Sequence, residues 1–270
     1  MLEEKEAEWL QEKVGQLLSD PNARKFYLAF GMVPRVIKRS PISPTSTQIE
    51  GLRAISQNFD PSQWRKDEIG RLALMLSLPS DKNFAIIDPL FTTADMNELV
   101  ALYKGLYFLD DKERFVERAI DGIRTNMSPV FDAIALNSMM PFIYFNETAW
   151  NQVVLKAIFM GRPIYRIFGL DERRNAALAQ IARDFAHERW SAGRKVTPEL
   201  WRLTEPFIDE AIFGDLKKAF LQGDGLERSA AGKAMRSSGY QPALDWIDEA
   251  EPYEALSWQE IGQEVEDLTD

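Results

Sequence analysis

Apolar residues recur at three- and four-residue spacing along nearly the whole chain, which is the period of amphipathic helices. Residues 3–18 place Leu10, Val14, Leu17 and Leu18 on one face. Asp20-Pro21 has the form of an N-cap followed by a proline in the first turn, and predicts a second helix. A Pro/Ser loop follows at Ser40-Pro41-Ile42-Ser43-Pro44-Thr45-Ser46. Asp60-Pro61, Ser128-Pro129 and Thr197-Pro198 repeat the cap-and-proline start and predict helices over 61–78, 128–140 and 197–212. Further helices are expected over 92–108, 111–126, 146–160 and 175–193. No stretch alternates polar and apolar residues between turn signals. The expected fold is therefore all-α, either an irregular helical bundle or a HEAT-like α-α stack without a clean internal repeat.

Residues 1–236 read as a single all-helical domain and 237–270 as an acidic C-terminal segment ending in an amphipathic helix. There Ser257-Trp258-Gln259-Glu260 forms a capping box. Trp258, Ile261, Val265 and Leu268 form the apolar stripe. Such a helix either docks on its own body or is an arm that docks on a partner.

Charge sharpens this division. The net charge is −10. Asp245, Asp248, Glu249, Glu251, Glu254, Glu260, Glu264, Glu266, Asp267 and Asp270 all lie beyond Ser237, where no Lys or Arg occurs. Without them, the acids of residues 1–236 balance the 32 bases. Residues 151–202 form a locally basic stretch, read as a solvated helix face against which the tail can lie. A neutral body with an acidic tail is a poor electrostatic match for nucleic acid, so none is expected as a partner. The polar, acidic start has no signal-peptide pattern and no apolar run reaches the length of a membrane span. No transmembrane segment and a cytoplasmic location are expected.

Candidate chemistry narrows quickly. The chain has no cysteine and one histidine, His187. A thiol nucleophile and a thiolate metal site are excluded, a ferritin-like di-iron site lacks its histidines, and no Gly-x-Ser-x-Gly elbow is present. Leu109-Asp110-Asp111-Lys112-Glu113-Arg114 falls short of the acid-rich magnesium motif of all-α terpene synthases, because Arg114 stands where an acid is needed. Asp110-Asp111 reads as a helix start. Gly225 to Gly232-Lys233-Ala234 is too long for a phosphate loop and has Ala234 in place of a hydroxyl. Neither a metal nor a cofactor is expected.

What remains is polar residues in apolar places. On the 175–193 helix, Leu178, Ile181, Ala182 and Phe185 define a stripe onto which Arg189 projects, with His187 on the opposite face. A buried Arg189 requires an acid or several acceptors, and Asp132, in a nearly all-apolar helix, is the candidate acid. The 146–160 helix is apolar almost all round and reads as a central buried helix. On it, Asn151 should need buried partners. Arg189, Asn151, Arg124, Asp132 and His187 are thus the candidate ligand- or partner-binding residues. No catalytic residue is identified.

Several separated motifs carry a family resemblance over 118–210. They are Arg124-Thr125-Asn126 with Pro129-Val130-Phe131-Asp132-Ala133-Ile134-Ala135-Leu136, then Asn151-Gln152-Val153-Val154-Leu155-Lys156-Ala157 and Arg166-Ile167-Phe168-Gly169-Leu170-Asp171. Arg183-Asp184-Phe185-Ala186-His187-Glu188-Arg189 and Ala192-Gly193-Arg194-Lys195-Val196-Thr197-Pro198-Glu199-Leu200-Trp201 complete the set. The chain resembles the EboA family. The resemblance implies a place among proteins linked to the movement of secondary metabolites, including a cyanobacterial pigment exported to the periplasm, without implying a reaction or catalytic residues. It makes a membrane-associated pathway protein a candidate partner. The expected function is that of a non-catalytic accessory, scaffold or metabolite-binding protein whose partner is a protein or an apolar small-molecule metabolite. The alternative is a tailoring enzyme of a natural-product pathway that works in a helical cavity.

Overall fold

The computed structural model describes residues 2–55 and 59–268. Met1 and Asp270, which entered the reading of the two termini, lie outside them. The fold is all-α, with 71% of residues helical. Among the described residues the only extended pairing recorded is one isolated bridge between Pro41 and Arg65. The chain divides into two compact units, Met1–Asn146 and Glu147–Asp270.

The first unit holds α1 (Glu4–Ser19), α2 (Ala23–Val36), α3 (Ser46–Ile55), α4 (Lys66–Leu76), α5 (Ser80–Ile87), α6 (Met96–Leu106), α7 (Val116–Gly122), α8 (Ser128–Ala135) and α9 (Met140–Tyr144). Helix α4 packs on α1, α2 and α6, and α6 packs on α8. Phe26, Phe30, Val33, Leu74, Met75, Leu102, Phe115 and Phe131 fill the core between them. The second unit holds α10 (Glu147–Phe159), α11 (Ala176–Ser191), α12 (Glu210–Gln222), α13 (Gly225–Ser237), α14 (Gln241–Glu249) and α15 (Trp258–Asp267). Its centre is α13, which meets α12, α14, α15 and the 3₁₀ turn Pro198–Leu203. The run Ser229–Ala234 is small and buried apart from Lys233, and admits these neighbours closely.

Several cap signals act differently from their sequence reading. Asn22, not Asp20, caps α2, its side chain accepting from the backbone N–H of Arg24 and Lys25. The residues after Asp60-Pro61 form only a 3₁₀ turn, Pro61–Gln63, and extended Trp64 separates it from α4. The expected 197–212 helix is instead two 3₁₀ turns, Pro198–Leu203 and Glu205–Phe207, before Asp209 caps α12. Pro206 has no N–H to give an α-helical ladder. The capping box at Ser257 forms as read. The stripe of α15, however, ends early: Trp258 and Ile261 are buried while Leu268 is exposed.

The buried ion pair expected at Arg189 lies elsewhere. Arg71 and Asp67, four apart on α4, are both fully buried with Arg71 Nη1 3.2 Å from Asp67 Oδ2. Burial pulls the Arg71 pKa below its ordinary value, and the Asp67 charge opposes that. The Phe30 ring lies beneath the guanidinium at 5.3 Å.

Candidate functional site

Helix α10 ends in a tight reversal. Gly161 adopts φ 64°, its N–H bonds the Ile158 carbonyl, and the Arg162 N–H reaches back to the Ala157 carbonyl at 2.7 Å. This is a Schellman cap, and the left-handed position favours glycine. It turns the chain so that Arg162 and Pro163 flank a cavity of about 130 Å³, also lined by Ile158, Thr197, Glu199 and, from α15, Val265 and Glu266.

Glu199 sits at the second position of the Pro198–Leu203 turn and is only 2% exposed. Its Oε1 accepts the backbone N–H of Tyr165 at 2.6 Å. Burial pushes its pKa up to about 7, against the lowering effect of the Tyr165 and Ile164 N–H groups and of Arg202, and with a small push from Glu266. A carboxyl in this state exchanges its proton near neutrality, and such groups in hollows are site candidates on physical grounds. With the proton it donates to an acceptor, and without it it accepts or meets a cation.

Helix α15 roofs the cavity. Gly262 lets it approach closely, since a Cβ there would collide with the Tyr165 ring. The Tyr165 hydroxyl donates to Glu266 Oε2 at 2.5 Å, with Gln263 Oε1 3.1 Å away. Arg166 Nη1 holds Glu266 Oε1 at 2.7 Å. Burial and the Glu266 contact raise the Tyr165 pKa, so the phenol stays protonated as the donor. The Trp258 indole N–H reaches Glu205 Oε2 at 3.3 Å, and Arg174 pairs with the same carboxylate. In this structure the acidic tail therefore packs on its own unit.

The five sequence candidates do not assemble here, and none lines this cavity. Arg189 is half-buried, not in the core: its Nε donates to the Lys195 carbonyl at 2.8 Å. The buried stripe of α11 is Leu178, Ala179, Ala182 and Ala186, which turns Ile181 outward and leaves Arg189 to reach past the helix end. Its acceptor is thus a backbone carbonyl outside the core and not the expected Asp132. Asn151 is half-buried and accepts from Asn175 Nδ2 at 2.8 Å, while Asn175 caps α11. His187 is half exposed, as its helix face suggested, but it is not idle: Nε2 lies 2.9 Å from Asp215 Oδ1, whose other oxygen takes Arg183 Nε at 2.6 Å. In the first unit, Arg124 is exposed and pairs with Asp121 at 3.0 Å. Asp132 is half-buried on α8. Among the described residues no group of three His, Asp or Glu side chains is placed to hold a metal ion. No described helix is long and apolar enough to cross a membrane.

Glu199 and Glu266 are the residues that sequence reasoning missed. Glu199 follows Thr197-Pro198, where an acid is explained by the helix start alone. Glu266 stands among the acids of the tail, whose pattern gives a net charge and singles out none of them. Their shared cavity depends on contacts about a hundred positions apart, such as Arg166 to Glu266.

The fold and this cavity define an all-helical protein that encloses a small hollow with a buried carboxyl in its wall. The chain belongs to the EboA family: the family described as metabolite traffic protein EboA matches residues 1–205. That stretch contains Glu199, Arg162 and Tyr165, while α15 lies beyond it. No curated protein and no solved structure matches the chain.

Proposed function

We propose that this protein is a non-catalytic accessory protein of secondary-metabolite production and traffic, working in the cytoplasm and holding an apolar small molecule under α15. The observation that carries the reading is the cavity itself, walled by Ile158, Pro163 and Val265, with the buried Glu199 as its polar anchor. Pockets of this make-up, apolar with a few convergent polar groups, suit small ligands. At about 130 Å³ it encloses one ring-sized end of a metabolite; an engineered cavity of about 150 Å³ binds benzene. The family's link to metabolite traffic agrees with this role. Residues 237–270 act as the closing segment on the rest of the second unit. A membrane-associated pathway protein is the natural recipient of the ligand.

The test is purification of the full chain from its host, followed by mass spectrometry of extracted small molecules. The parent protein should carry a compound that a Val265→Phe variant, with the cavity filled, does not. Identical extracts from both would overturn the reading.

One observation favours the second reading, a tailoring enzyme. A carboxyl that titrates near neutrality has the pKa of a general acid or base. If Glu199→Gln keeps the compound bound but it then accumulates chemically unchanged relative to the parent, Glu199 acts on it.

A further inference from the structure

The walls of the cavity under α15 constrain the chemistry of what they enclose. The hollow measures about 130 Å³, somewhat less than the roughly 150 Å³ that takes benzene. A compact aliphatic group therefore fits it better than a flat aromatic ring. Ile158, Pro163 and Val265 supply the apolar contact.

The polar side of the wall is Glu199. Its Oε1 accepts the Tyr165 N–H at 2.6 Å, and the Ile164 N–H also favours its charged form. A carboxylate has about four lone-pair directions, so these two donors leave acceptor capacity at the hollow that Glu199 lines. Glu266, the other acid of the wall, is already held by the Tyr165 phenol at 2.5 Å and by Arg166 Nη1 at 2.7 Å. Arg162 brings a positive charge to the same wall, and Arg202 acts on Glu199 from within its own turn.

This arrangement disfavours a charged ligand. A carboxylate or phosphate would sit beside two acids, an ammonium would sit beside Arg162, and either would lose its hydration on entry. A neutral polar group escapes these penalties. Burial places the Glu199 titration at about 7, so near neutrality a ligand meets both the carboxylic acid and the carboxylate. A ketone or an ether only accepts, and pairs with the acid alone. A hydroxyl accepts from the acid and donates to the carboxylate.

Resting on the reading that this cavity holds a small molecule, we propose that the enclosed end of the ligand is a neutral aliphatic alcohol, with a compact branched or cyclic carbon group against Ile158, Pro163 and Val265 and its hydroxyl on the Glu199 carboxyl.

Four probes of similar size test this on the full chain: cyclopentanol, cyclopentanone, methylcyclopentane and cyclopentylammonium. Binding is followed by ligand-observed nuclear magnetic resonance titration on either side of the Glu199 midpoint, two pH units below and two above it. Cyclopentanol should bind at both pH values about tenfold more tightly than methylcyclopentane, the factor that one buried hydrogen bond provides. Cyclopentanone should approach cyclopentanol at the lower pH and fall to the level of methylcyclopentane at the higher, where Glu199 has no proton to donate. Val265→Phe should abolish cyclopentanol binding by filling the hollow. Because that change also disturbs the seat of α15, Glu199→Gln serves as the second variant: its amide donates and accepts at any pH, so cyclopentanone should bind it equally at the two pH values. Methylcyclopentane as tight as cyclopentanol, cyclopentylammonium tighter than cyclopentanol, or cyclopentanone binding to the parent that ignores pH would each overturn the alcohol assignment; the cavity reading survives these if Val265→Phe abolishes the binding. Absence of binding by every probe would also overturn the assignment, and the host extracts of parent and Val265→Phe then decide the cavity reading independently.

Discussion

Replacing Glu199 by Gln tests the electrostatics of the α15 cavity without changing its shape. The Gln side-chain oxygen can keep the Tyr165 N–H bond that Glu199 accepts at 2.6 Å. The wild-type carboxyl has its pKa raised from 4.5 to about 7 by burial. The folded state therefore binds this proton more tightly than the unfolded state does, and the stabilisation is fully present below about pH 4.5 and lost as pH rises through about 7. At about 1.4 kcal/mol per unit, the shift amounts to roughly 3 kcal/mol lost across that window. Chemical denaturation at intervals from pH 5 to pH 8 measures it as the difference between parent and variant. Near pH 5 the two should be alike. Toward pH 8 Glu199→Gln should become the more stable, by up to about 3 kcal/mol. A difference that does not change with pH, or a parent that gains on the variant as pH rises, would refute the reasoning. The second outcome would mean that the backbone N–H groups and Arg202 outweigh burial.

Asp67→Leu should cost about 3–5 kcal/mol in denaturation, because it strands the fully buried Arg71 without its ion-pair partner, whereas Arg71→Ala should cost less, because Arg39 and Arg65 still lie 3.8 and 3.5 Å from Asp67; adding Arg71→Met to Asp67→Leu should recover most of the loss. Arg189→Ala should cost no more than about 1 kcal/mol, since one partly exposed bond to the Lys195 carbonyl is lost, and His187→Ala should stay within about 0.5 kcal/mol because Arg183 still holds Asp215; a large loss for either would place it in the core after all. Tyr165→Phe removes the Glu266 bond at the seat of α15, and should speed amide hydrogen exchange in α15 while leaving α13 unchanged. Unchanged exchange in α15 would mean that Arg166, Trp258 and Ile261 hold the helix without the phenol.

The helical class was legible because it rests on local periodicity, which a single sequence carries in full. The boundaries were less so. Asp20-Pro21 looks like a helix start, yet Asn22 two residues later makes the cap bonds, and proline alone does not decide between the two. Thr197-Pro198 similarly starts a 3₁₀ turn that Pro206 prevents from growing into an α-helix. Helix-wheel position gives the face on which a residue such as Arg189 or His187 lies, but not how far a helix end extends past its neighbours. Hence Arg189 escapes the core to reach a carbonyl, whereas Arg71, on a helix packed by α1, α2 and α6, cannot. The α15 cavity was invisible for a different reason. Glu199 and Glu266 meet only through tertiary contacts, and each acid has a sufficient local explanation in its own segment.

The most direct test of ligand holding under α15 is to titrate the Glu199 side-chain carboxyl by carbon-13 nuclear magnetic resonance, with and without small-molecule extract from the host. Alone, the carboxyl should titrate at about 7. With extract present, a ligand in contact with Glu199 should move that midpoint, and Val265→Phe should abolish the movement. Superimposable titration curves with and without extract would contradict the assignment of the ligand to this cavity.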